Sequence, residues 1–401
     1  MGQSARVGCP GDNEYGLDVD KTVRCANEVK AVWGERLAFF TTTNAARDVN
    51  HVVNRLREGD RDVFIYGISY GTYWLLRYLQ LYPNNVSGII LDSICTPGEC
   101  LLDRYDGWNN EMGSQFMELC GKDAVCARKM STLAETPSKA LELTYRKIDN
   151  GEICDGLKDR FDRTTMRRTL APLLQNRSKR VLIPPLIYRL NRCSEADQKA
   201  IEHLFRKPDI DVSNEMDYYV SPMLADLILL SELFSGTTVE QAEAFAATAL
   251  FSEDESLFLV QLDQANVWPK YSDSDYAQKF PDTNIPMLML SGTTDPQTPP
   301  WITRTTGEQF RGAHQHFVSV PNATHGVMVF SPIDRPWPEG REPCGSQLMG
   351  QFINDPMGRL DTSCTSEVYP VEFDAGSANN RAVSLEYFGT EDMWEGIPSE
   401  K

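Results

Sequence analysis

The stretch that most narrows what this chain can fold into is Tyr66-Gly67-Ile68-Ser69-Tyr70-Gly71. The run before it, Asp62-Val63-Phe64-Ile65-Tyr66, is β-branched and aromatic and reads as a buried strand. The run after it, Thr72-Tyr73-Trp74-Leu75-Leu76-Arg77-Tyr78-Leu79, reads as a helix ending before Pro83. Strand, G-x-S-x-G, helix is the setting of a nucleophile elbow, in which a serine sits on a tight turn with its hydroxyl exposed. The glycines at 67 and 71 are expected to let neighbouring backbone approach where a Cβ would clash. A helix N-terminus behind Ser69 would favour negative charge developing on a nearby oxygen, through its dipole and free N–H groups.

Around this stretch the pattern is that of a parallel sheet. Val86-Ser87-Gly88-Ile89-Ile90-Leu91 reads as a second strand ending at Asp92, so strand, helix and strand imply a right-handed crossover. A helix is expected over 44–58, with Thr43 or Asn44 at its start and Gly59 at its end. Residues 1–40 read as loop. From about 98 to 283 strand signals fade and helical periodicity takes over, at 110–120, 137–148, 163–175, 197–206, 216–234 and 239–251. Sheet character returns with Pro286-Met287-Leu288-Met289-Leu290-Ser291 and with His316-Phe317-Val318-Ser319-Val320. Helices near 301–311 and 345–354, a Pro-rich loop over 331–343 and a fraying tail beyond 385 complete the reading. The domains so drawn are 1–97, a helical insertion over 98–283, and 284–401.

Three residues carry the chemistry. Ser69 follows one strand, Asp295 a later one, and His325 the last, each just past a C-terminal strand end, where open α/β sheets build their sites. His325 would take the Ser69 proton, and Asp295 would hold the imidazole tautomer. Asp92 also ends a strand and competes for the acid role; Gly292 and Pro296, which shape a tight loop around Asp295, favour the latter. The backbone N–H of Tyr70 would contribute to an oxyanion hole.

A formal net charge of −18 argues against nucleic acid and anionic membranes as partners, and no apolar run reaches the roughly 20 residues of a membrane span. The ten cysteines show no zinc-like spacing and suggest disulfides; Cys9 with Cys25 and Cys344 with Cys364 each bracket a local segment and are expected to pair. Sequons at Asn85, Asn176 and Asn322 are compatible with secretion, while Met1–Arg6 has no apolar leader.

Several stretches together resemble the tripeptidyl-aminopeptidase-like α/β-hydrolases, relatives of prolyl aminopeptidase. They are Thr42-Thr43-Asn44-Ala45-Ala46-Arg47-Asp48-Val49, Gly67 through Tyr73, Ile90-Leu91-Asp92-Ser93, Gly292 through Pro296 with Thr298-Pro299-Pro300, and His325-Gly326-Val327. The order Ser, Asp, His agrees with that fold. The resemblance covers roughly residues 1–100 and 255–365. It implies an α/β-hydrolase fold with a mostly parallel sheet and a helical cap. It also implies a secreted serine exopeptidase, or an esterase-like hydrolase, acting on a peptide or small ester without metal or cofactor.

Met1–Arg6 resembles the middle of such a chain, after an early strand and a Gly-rich loop that supplies an oxyanion donor. The N-terminal strands and leader are therefore expected to be missing here, which would leave the strand at 62–66 at a sheet edge. A catalytically impaired binding protein is the alternative. An aminopeptidase must also hold an α-ammonium, and Glu232, in Ser231-Glu232-Leu233-Phe234, is the candidate anchor by resemblance. Exact substrate and oligomeric state are left open.

Overall fold

The apolar runs at 88–94 and 287–292 form the two central strands of a parallel sheet, and every residue in both is buried. The computed structural model describes residues 7–9, 17–59, 61–158, 160–206, 221–335 and 340–396. In chain order the elements begin α1 (Val19–Trp33), α2 (Thr42–Leu56), β1 (Phe64–Ser69), α3 (Tyr70–Leu81) and β2 (Gly88–Ile94). Helices follow: α4 (Tyr105–Lys122), α5 (Ala124–Met130), α6 (Pro137–Asp149), α7 (Arg163–Gln175), α8 (Ile183–Arg192), α9 (Glu195–Phe205), α10 (Pro222–Glu232), α11 (Val239–Thr248) and α12 (Glu255–Ala265). The chain then runs through β3 (Met287–Gly292), α13 (Pro300–Gln309), β4 (Gln315–Val320), α14 (Cys344–Asn354) and α15 (Ala378–Phe388). The expected helix over 216–234 is found as α10; residues 216–220 lie outside the described residues.

The sheet order is β1-β2-β3-β4, with parallel pairing throughout. The strand alternation divides its side chains cleanly. Ile89, Leu91, Met287 and Met289 pack against Ala46 and Val53 of α2 and Leu75, Leu76 and Leu79 of α3. Ile90, Leu288, Leu290 and Val318 pack on the other face against Leu348 and Phe352 of α14. Helices on both faces explain why β2 and β3 are continuous apolar runs. At the β1 edge, Tyr66 and Ile68 are exposed.

Between β2 and β3 the described residues hold helices alone, and they form a core of their own with Phe116, Leu141, Leu170, Leu186 and Ile201 at its centre. The tail joins this core. Phe373, Phe388, Met393 and Trp394 are all buried within it, and Trp394 donates from Nε1 to the Phe373 carbonyl at 2.9 Å. The expected fraying beyond 385 is absent over 386–396, because the aromatic side chains there fill the helical core.

A second departure is α1, in a stretch read as loop. Thr22, Cys25, Ala26 and Val29 fall at helical spacing, and Asp18 caps the start by accepting from the Lys21 N–H at 2.9 Å. Their small side chains let α1 lie against Leu227 and Leu230 of α10 and Leu259 and Leu262 of α12. Such a face is too weakly apolar to read from sequence.

The ten cysteines form five disulfides: Cys9–Cys25, Cys95–Cys100, Cys120–Cys126, Cys154–Cys193 and Cys344–Cys364. This density fits an oxidising, extracellular type of compartment. Among the described residues, no helix is long and apolar enough to cross a membrane.

Candidate active site

Ser69 ends β1 and Tyr70 begins α3, so the chain turns at a single residue. That residue has φ 55° and ψ −131°, outside the regions a side chain ordinarily allows. Neighbours enforce the strain. A Cβ on Gly67 would lie 2.7 Å from the Gly71 carbonyl oxygen and 2.7 Å from Leu75 Cδ1, so only glycine lets α3 close onto β1. Gly71 behaves differently from expectation: nothing lies within 4 Å of a Cβ built there. Its backbone is what Gly67 accommodates; its own lack of a side chain is not required by contact.

Asp295 and His325 lie on loops after β3 and β4, brought together by close backbone approach. A Cβ on Gly292 would meet the Ala323 carbonyl oxygen at 2.5 Å, so the two loops can touch only with glycine there. Thr294 then donates to that oxygen from its N–H at 3.1 Å and from its hydroxyl at 2.9 Å. Asp295 is wholly buried. It accepts from the N–H groups of Gln297 and Thr298 at 2.8 and 3.1 Å, from the Thr298 hydroxyl at 2.7 Å, and stands 2.9 Å from His325 Nδ1. Burial works to raise the Asp295 carboxyl, but the His325 charge and these hydrogen bonds outweigh it and hold it below the usual carboxylate range. Burial likewise pulls the His325 imidazole down, and the Asp295 carboxylate outweighs it, so His325 lies above its ordinary value.

Asp92, the competing acid, has another task. The pairing of β1 with β2 skips Ser93, which takes φ 56°. This bulge turns the strand end toward the histidine loop. Asp92 accepts from the N–H groups of Val327 and Met328 at 2.8 and 2.9 Å and from the Tyr66 hydroxyl at 2.9 Å; Ser93 Oγ accepts from the Gly326 N–H at 2.8 Å. The carboxylate thus anchors the backbone that follows His325, while Asp295 is the one at Nδ1.

Ser69 opens on a cavity of about 280 Å³ that Tyr70, Gln175, Leu229, Leu233, Thr298, Glu253 and Glu255 also line. The acids enter from the helical segment. Asp254, at φ 65°, is gripped by Arg167 through two bonds of 2.9 Å and by Arg168 at 2.8 Å. Asp106 accepts the N–H groups of Glu253 and Ser256 at 2.9 and 2.8 Å. Glu255, between these pins, forms no side-chain hydrogen bond among the described residues. Its burial, with Asp106, Asp226 and Glu253 nearby, pushes its carboxyl up to about 8. The signal in the sequence is the acidic run Glu253-Asp254-Glu255 that leads into α12.

Glu232, the anchor expected from sequence, is not brought to this cavity; its neighbours Leu229 and Leu233 form the wall. Its own carboxylate is wholly buried and occupied. Arg77 donates to it at 2.7 Å, Tyr73 at 3.1 Å and Tyr271 at 2.5 Å. Through its ion pair with Arg77 it ties α10 to α3.

Residues 258–364 match the TAP-like protein family of α/β-hydrolases. The match takes in Asp295, His325 and the Cys344–Cys364 bridge, and leaves Ser69 outside. Over 64 residues, 16% of this chain, it is 39% identical to a tripeptidyl aminopeptidase of Streptomyces lividans and equally to one of Streptomyces coelicolor. The matched stretch spans 12% of the length of those relatives. Together with the parallel sheet, these similarities support a hydrolase.

Proposed function

We propose that this chain is a serine peptidase that acts on short peptides with a free N-terminus, its residues 98–283 serving as a cap over a core made by 1–97 and 284–401. The observation that carries the reading is the buried Asp295–His325 pair at 2.9 Å, shared by one cavity wall, through Thr298, with the strained Ser69. Ser69 Oγ attacks the acyl carbon while His325 Nε2 takes its proton. Asp295 keeps the other ring nitrogen protonated and stabilises the imidazolium. Negative charge on the tetrahedral oxygen faces the Tyr70 N–H, which opens α3. The imidazolium then protonates the leaving amine, and water repeats the sequence to free the acid and restore Ser69.

Glu255 takes the place first assigned to Glu232. A recessed carboxyl without a hydrogen-bond partner among the described residues, lining one cavity with Ser69, suits a substrate ammonium, whose arrival would ionise it. Peptides with a free amine are therefore expected to be cleaved faster than N-blocked ones. Glu255→Gln should raise KM about tenfold or more for the former alone, the scale of one charge-assisted hydrogen bond. Equal effects on free and blocked peptides would remove the anchor; turnover of short-chain esters alone would favour an esterase.

The pH profile is a second check. Neutral imidazole is the base, and His325 titrates above the ordinary 6.5. Fluorophosphonate labelling should thus rise with pH through a midpoint higher than 6.5 and be lost below it. A midpoint under 6 would contradict the Asp295 pairing.

A further inference from the structure

Arg177 and Arg180 lie on the connection between α7 and α8, and neither forms an ion pair among the described residues. Each instead reaches one of the two loops of the site. Arg177 Nη1 donates to the Asn322 carbonyl at 2.6 Å, three residues before His325, and Nη2 to the Tyr369 carbonyl at 3.0 Å. Arg180 donates from Nε and Nη2 to the Leu174 carbonyl at 3.0 and 2.6 Å, and from Nη2 to the Thr294 carbonyl at 3.1 Å. Thr294 immediately precedes Asp295.

Arg180 is wholly buried, and its Nη1 has no hydrogen-bond partner. Burying a guanidinium there without a direct ion pair is costly, with Asp295 offsetting only part of the cost, and methionine would fill similar space without it. What a guanidinium adds is a set of donors to two carbonyls from different elements and a fixed positive charge behind Asp295. We propose that Arg180, together with Arg177, is a positioning pair through which the helical segment aligns the Asp295 and His325 loops. The proposal rests on the serine-hydrolase reading above. Burial and the Arg177 charge pull Arg180 down to about 9, which leaves it protonated at neutral pH.

The sign of the electrostatic effect follows. A positive charge behind the pair disfavours the imidazolium, so removing it lets His325 hold its proton to higher pH. The experiment measures the rate of fluorophosphonate labelling at Ser69 against pH, per folded molecule, for wild type, Arg180→Met, Arg180→Gln, Arg180→Lys and Arg177→Met. Both neutral Arg180 variants should lower the plateau about tenfold to hundredfold, as small displacements of catalytic groups do. They should also move the acid limb up by roughly half a unit. Arg180→Lys should shift the limb as the neutral variants do, because a site that pulls even a guanidinium down to about 9 strips a lysine amine of its proton there. A folded neutral variant with plateau and midpoint unchanged, whatever its melting temperature, would reduce Arg180 to a structural brace and overturn the proposal. If neither neutral variant folds, Arg177→Met decides: a plateau about tenfold lower supports the pair, and an unchanged one overturns it. A wild-type chain that labels elsewhere than Ser69, or not at all, would remove the hydrolase reading, and the proposal with it.

Discussion

Ser69→Ala is expected to abolish fluorophosphonate labelling and to reduce peptide turnover by roughly four to six orders of magnitude. The substitution isolates chemistry from folding. Alanine keeps the Cβ, so the turn at φ 55° is no more strained, and the fold loses no hydroxyl cap, because Ser69 makes no side-chain hydrogen bond as the N-cap of α3. His325→Ala should cost nearly as much, and the double variant little more, since nucleophile and base act as one unit. Asp295→Asn should be far more damaging to the plateau rate than Asp92→Asn. The first change presents an amide to Nδ1 and favours the wrong tautomer. The second loosens the backbone after His325 without touching the ring. The reverse ranking would move the acid to Asp92, and a Ser69→Ala chain that still labelled would move the nucleophile.

Glu232→Ala should lower folding stability by about 3–5 kcal/mol, the range for removing one partner of a buried ion pair. Arg77 is 2% exposed and donates to Glu232, to Asp273 at 2.7 Å and to the Thr43 hydroxyl at 2.7 Å. Without Glu232 the Nη2 side of the guanidinium and the hydroxyls of Tyr73 and Tyr271 lose their common acceptor. Burial is the largest influence pushing both phenols up, and it persists without Glu232, so neither ionises to replace the missing charge. Urea unfolding of wild type and variant measures the difference. A loss below about 1 kcal/mol would mean that Arg77 is adequately held by Asp273 and Thr43 alone.

The sheet, and the places of Ser69, Asp295 and His325 at or after its strand ends, were legible where sequence periodicity and local geometry coincide. The flanks of Ser69, and the strand–loop settings of Asp295 and His325, are local patterns, and each falls at its strand end in the structure. Gly67 was readable as a contact glycine because strand-to-helix packing follows from the motif. Gly71 was misread for the same reason: the pattern gives both glycines, but only packing tells which one lacks room. Glu232 and Glu255 show a harder limit. Both are acids on apolar helices, and what separates them is a partner distant in sequence, Arg77 for one and, among the described residues, none for the other. α1 was missed because its buried face is threonine, cysteine, alanine and valine, which carry little periodic signal.

The aromatic closure of the helical core has a consequence for the order in which the molecule is made. Arg189, in α8, donates to the carbonyls of Met393 at 2.8 Å and Asp392 at 3.0 Å, some two hundred positions later in the chain. During synthesis the helices α4–α9 emerge well before residues 373–394, and until then the seats of Phe388 and Trp394 stand open. Their apolar lining is exposed to solvent for the time a ribosome needs to add about two hundred residues, on the order of 10–40 s. The core of the helical segment is therefore completed late: until residues 373–394 arrive, the seats they fill in it stay open.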